Sequence, residues 1–83
     1  MMNEKRKCPC CGCYTVDENF GICPVCYFEY DPYQIRNPDE KGANEVTLNE
    51  ARFNYFQYGA CEERFISLVR EPYEEEVYDD EEE

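Results

Sequence analysis

The residues best equipped for chemistry are four cysteines set in two similar stretches, Cys8-Pro9-Cys10-Cys11-Gly12 and Cys23-Pro24-Val25-Cys26. Within each stretch two residues separate the paired thiols, so both sulfurs of a pair can face one ion. Thiolates at this spacing suit a four-coordinate, tetrahedral zinc site. Proline after the first cysteine fixes φ where no amide donor is required, and Gly12 tolerates the left-handed backbone that closes the turn. Cys10 and Cys13 have the same gap, but that register leaves Pro9 outside the pair and Gly12 inside it. Cys8, Cys11, Cys23 and Cys26 are therefore the expected ligands, and Cys10, Cys13 and Cys61 are read as small buried hydrophobes.

The elements that must position these thiols are short. Tyr14-Thr15-Val16 reads as a strand, Asp17-Glu18-Asn19 as a turn and Phe20-Gly21-Ile22 as a return strand that brings the second pair level with the first. After an aromatic run, Tyr27-Phe28-Glu29-Tyr30, residues 31–46 read as an ordered loop. The clearest helix begins at Thr47, where Thr47-Leu48-Asn49-Glu50 is a capping box, and it ends before Gly59. Leu48, Ala51, Tyr55 and Tyr58 share its inner face, while Phe53 and Phe56 flank it. Phe65-Ile66-Ser67-Leu68-Val69 fits a strand or a short helical turn equally well. The expected fold is a small α+β, metal-stabilised domain: a zinc-ribbon-like two-knuckle β-hairpin (8–30) packed with one main α-helix (about 48–58). A polar arm (1–7) precedes the domain (8–70), and an acidic, disordered tail (71–83) follows it.

The chain has 83 residues and a formal net charge of −12, with 7 cysteines and no histidine or tryptophan. Its acidity is uneven. Nine of the 20 acidic residues fall in 71–83, leaving eleven against 8 basic residues elsewhere. That balance argues against a nucleic-acid binder, which needs a basic face. A domain this small buries little apolar surface, so a metal is expected to supply the missing stability. The charged N-terminus lacks an apolar run behind it, and nothing approaches the length of a membrane span. A reducing, cytoplasmic setting without membrane attachment is expected.

The sequence resembles a bacterial family of unknown function named for its motif, the cysteine-rich CPCC family. The resemblance rests on Cys8-Pro9-Cys10-Cys11-Gly12, Ile22-Cys23-Pro24-Val25-Cys26-Tyr27-Phe28 and Asp31-Pro32-Tyr33-Gln34. It continues through Arg36-Asn37-Pro38-Asp39, Gly42-Ala43-Asn44, Leu48-Asn49-Glu50-Ala51-Arg52 and Val69-Arg70, covering roughly residues 8–72. It implies a zinc-ribbon-like small domain and no particular activity. Cys13, Cys61 and the acidic tail depart from the pattern.

The expected function is that of a non-enzymatic module in which one structural Zn2+ shapes a surface for a protein partner. Tyr30, Asp31, Tyr33, Asn37, Asp39 and Asn44 are the candidate contact residues, with turn capping as the competing role for the polar ones. Most of the aromatic side chains are assigned to the core. A toxin-neutralising immunity protein is one concrete form of this reading. The alternatives are a rubredoxin-like iron electron carrier, for which the gap between pairs is short, and a nucleic-acid-associated zinc ribbon. An enzyme has least support, because there is no histidine for general-base chemistry and four thiolates leave zinc no open position. No small-molecule substrate is evident.

Overall fold

The computed structural model describes residues 5–77. Two strands, β1 (Arg6–Lys7) and β2 (Tyr14–Val16), form an antiparallel hairpin around the first cysteine pair, with Arg6 opposite Val16 and Lys7 opposite Tyr14. The expected pairing of residues 14–16 with 20–22 does not form. Residues 20–22 turn instead toward the segment after the second cysteine pair: Ile22 bridges Glu29, and the Tyr30 amide donates to the Gly21 carbonyl at 2.9 Å. Each cysteine pair thus closes its own hairpin. The backbone donors next to each pair are satisfied inside that pair's own turn, at Cys8 and Gly12 in the first and at Cys23 and Tyr27 in the second.

Residues 31–46, expected as a loop, contain a helix, α1 (Pro32–Arg36). Asp31 caps it by accepting from the Tyr33 amide, Pro32 occupies the first turn and Asn37 closes the end. An acidic N-cap followed by proline is a helix-start signal legible in the sequence. The remainder of this segment is held from within. The fully buried Gln34 donates to the carbonyls of Glu40 (3.0 Å) and Val46 (2.9 Å) and accepts from the Asn44 amide and side chain.

Helix α2 (Leu48–Tyr58) follows with the expected capping box and a left-handed Gly59 at φ 78°. It buries only Leu48 and Ala51 completely; Tyr55 is half-buried and Tyr58 is exposed. A 3-10 helix (Glu63–Leu68) takes the place of the undecided 65–69 segment. Residues 71–77, expected from composition as the start of a disordered tail, carry a short helix, α3 (Glu74–Val77). Arg70 overcomes the local like-charge repulsion by pairing with both carboxylate oxygens of Glu76, at 2.9 and 2.8 Å. The remainder of the expected tail, 78–83, lies outside the described residues, as do residues 1–4 of the expected arm.

The core is built largely of thiols. Cys8, Cys10, Cys13, Cys23, Cys26 and Cys61 are all buried, with Val16, Val25, Phe28, Leu48 and Ala51 between them. Among the aromatic side chains described, Phe28 alone is fully buried, whereas Tyr33, Phe53, Phe56 and Tyr58 are exposed. Tyr27, Tyr30, Tyr55 and Phe65 pack half-buried against the core, so most of the aromatics in the 27–30 run and around the helix do line it, as expected. No helix among the described residues is long and apolar enough to cross a membrane.

Candidate metal centre

The two cysteine pairs adopt the same backbone turn. In the first, the Cys8 amide donates to the Cys13 carbonyl and the Gly12 amide returns to the Cys8 carbonyl, both at 2.8 Å. In the second, the Cys23 amide donates to Phe28 at 3.0 Å and the Tyr27 amide returns to Cys23 at 2.7 Å. Each turn closes on a left-handed residue, Gly12 at φ 82° and Tyr27 at φ 72°. Glycine adopts this conformation freely, while tyrosine is strained there. The Tyr27 ring is held against Phe65, centroids 4.7 Å apart, so packing offsets part of the strain.

These turns bring together the Sγ atoms of Cys8, Cys11, Cys23 and Cys26, all within 4.8 Å of one another. Cys8 and Cys26 stand 3.5 Å apart, and Cys11 and Cys23 3.7 Å. A tetrahedron with metal–sulfur bonds of 2.3 Å has edges of about 3.8 Å. A disulfide needs about 2.05 Å, and all seven cysteines are free. The arrangement fits one ion on four thiolates. The Val25 amide (3.4 Å) and the Thr15 hydroxyl (2.9 Å) both approach the Cys23 sulfur.

The electrostatics point the same way. Hydrogen bonding from Cys11, Cys26 and Cys8, with desolvation opposing and Thr15 assisting, pulls the Cys23 thiol far below its ordinary value. Cys11 is pushed far up, first by Cys23, and Cys26 far up, first by Cys10 and then Cys11. Packed this closely, the sulfurs share protons rather than all ionising. A divalent cation held between them would supply the missing charge and displace those protons. Of the remaining thiols, Cys61 is pushed up to about 12 and Cys13 upward, both chiefly by burial. Cys61 therefore stays a neutral thiol at physiological pH, a packing residue rather than a nucleophile.

The second half of the chain braces both turns from behind. Arg52 on α2 donates from Nε to the Pro9 carbonyl at 2.9 Å. The Cys61 amide donates to the Cys26 carbonyl at 2.7 Å, and the Arg70 amide to the Pro24 carbonyl at 3.2 Å. Arg70 meets a local carboxylate, as its surroundings in the sequence suggest, but Arg52 finds a carbonyl 43 residues away. Sequence reading missed that link, since nothing local marks it.

The candidate contact residues have varied fates. Asp31 and Asn44 are buried and internally satisfied: Asp31 accepts from the amides of Tyr33 and Ala43, and Asn44 bonds both the amide and the carbonyl of Glu29. Asn37 caps α1, and Asp39 accepts from Asn49 on α2 at 2.6 Å. Tyr30 is half-buried beneath the Arg6 guanidinium, 5.3 Å from its ring centre, while Tyr33 stands exposed. The polar four thus hold the 31–46 segment in place.

A comparison with curated proteins finds no match. A family model described as Cysteine-rich CPCC matches residues 6–76, which include both cysteine pairs, the 31–46 segment and α2. The shared span covers most of the chain, and the protein belongs to the cysteine-rich CPCC family.

Proposed function

We propose that the four thiolates hold one structural zinc ion and that the domain so stabilised acts by binding another protein. The observation that carries the zinc reading is the convergence of Cys8, Cys11, Cys23 and Cys26 at tetrahedral spacing. Four protein ligands saturate the ion, leaving no position for water or substrate, and the sequence supplies no histidine. The module is therefore non-enzymatic in this reading, and the seven free thiols suit a reducing compartment such as the cytoplasm. A protein partner is favoured over nucleic acid because the chain carries −12 at neutral pH.

Elemental analysis of the purified full chain tests the metal assignment, with one zinc per chain expected. A red protein holding iron would replace zinc with a rubredoxin-like carrier. Strong chelation should abolish the native NMR spectrum of residues 8–30, and a metal-free chain that kept it would remove the structural role. Cross-linking in host cells followed by mass spectrometry tests the partner. Recurrent cross-links to one protein are expected, and recovery of nucleic acid alone would overturn the binding-module reading.

A further inference from the structure

Helix α2 turns two phenylalanines outward, Phe53 at 60% exposure and Phe56 at 88%. The helix is fully buried only at Leu48 and Ala51, and these two rings leave most of their surface to solvent. Beside Phe53 lies an open cleft of about 600 Å³, lined by Val46, Asn49 and Asn54 and by the charged Lys41, Glu45 and Glu50. A second depression shares Glu45 and adds Glu29, Glu62 and Arg64. Arg64 pairs closely with Glu62, at 2.8 Å, and more loosely with Glu45, at 3.5 Å. Glu50 uses one carboxylate oxygen to accept from the Thr47 amide. The rim charge open to a partner is therefore the second oxygen of Glu50 and the largely exposed Glu45. The two depressions together present four carboxylates to two basic groups, with Val46 and Phe53 as apolar lining of the first.

Charge decides the occupant. A second copy of the chain would bring another −12 against this acidic rim, and a nucleic acid would bring phosphates. We infer that the cleft beside Phe53 receives a basic, amphipathic segment of a partner protein, with an apolar side chain resting on Phe53 and lysine or arginine side chains meeting Glu45 and Glu50. The inference rests on the binding-module reading and names the face and the partner's chemistry.

The test uses the zinc-loaded full chain and two synthetic amphipathic peptides, one of leucine and lysine and one of leucine and glutamate. Titration should shift the amide signals of Val46, Asn49, Phe53 and Asn54 with the lysine peptide and leave them unmoved with the glutamate peptide. Phe53→Ser should weaken the lysine peptide about tenfold, the loss typical of a central aromatic contact. Glu45→Lys, a change at a side chain 78% exposed, should weaken it several-fold without touching the helix. Shifts confined to the acidic residues beyond 70, or an affinity indifferent to both substitutions, would overturn the inference. So would a dimer in sedimentation that Phe53→Ser dissolves. A natural partner cross-linked through Tyr33 alone would also sink this inference while leaving the binding-module reading standing; a chain without any protein partner would remove both.

Discussion

Gly12 and Tyr27 occupy the same position in two superimposable turns and share one left-handed backbone, φ 82° and 72°. The conformation is free for the glycine and strained for the tyrosine. Gly12→Ala should therefore destabilise the domain by about 1–2 kcal/mol. Tyr27→Gly relieves comparable strain but forfeits contact with Phe65, worth about 0.5–1.5 kcal/mol, so its net effect should be small. Thermal melts of the two variants check the contrast, and equal losses at both positions would contradict it.

The seven cysteines divide into two groups by position. Serine at any one of Cys8, Cys11, Cys23 or Cys26 should abolish stoichiometric zinc and leave the chain unfolded. Serine at Cys10 or Cys13 should keep one zinc per chain, with only modest loss of stability. Cobalt substitution reads the ligand set directly, because four thiolates give an intense tetrahedral spectrum. A cobalt spectrum lost in Cys10→Ser and retained in Cys11→Ser would mean that the other register is used.

Gly42 leaves room that its neighbours use. A Cβ there would collide with the Asp31 carboxylate and come within 2.9 Å of the Gln34 side chain. Both groups belong to the buried polar network that holds residues 31–46, so neither can move without breaking hydrogen bonds. Gly42→Ala should cost on the order of 1–3 kcal/mol. Hydrogen exchange should show the loss concentrated at the amides of Ala43 and Asn44.

The docking of α3 should depend on pH. The Arg70 guanidinium holds the Glu76 carboxyl below its ordinary value of 4.5. A carboxylate whose folded pKa is depressed stabilises the fold above its unfolded pKa, and that contribution is lost as pH falls through the folded value. Residues 71–77 should stay docked at neutral pH, begin to loosen as pH falls below about 4.5 and release at lower pH, as the Glu76 carboxylate is protonated and its pair with Arg70 is lost. Glu76→Gln should release them at neutral pH. Amide signals of Tyr73 and Val77 report the transition, and a segment equally docked at pH 3 and pH 7 would refute it.

Much of the frame was legible because its determinants are local. The spacing of the cysteines marks the quartet that the turns bring together, and the Thr47–Glu50 capping box with Gly59 marks both ends of α2. Helix α1 carries an equally local signal in Asp31-Pro32, masked by the turn residues that surround it. Pairing between segments was not legible in the same way. Phe20-Gly21-Ile22 could join either Tyr14-Thr15-Val16 or the residues after Cys26, and periodicity is identical for both.

Spacing and residue type were sufficient to pick out a four-thiolate cluster and the main helix, since turns of two residues and helix caps act within a few residues of chain. Tertiary structure alone decided that Arg52 would brace the Pro9 carbonyl, that Asp31, Gln34 and Asn44 would be buried against one another, and that Phe53 would face outward. Those outcomes depend on which surfaces remain after the thiol core has closed. A backbone carbonyl 43 residues away, or the width of a helix's covered face, leaves no mark on the local pattern of side chains.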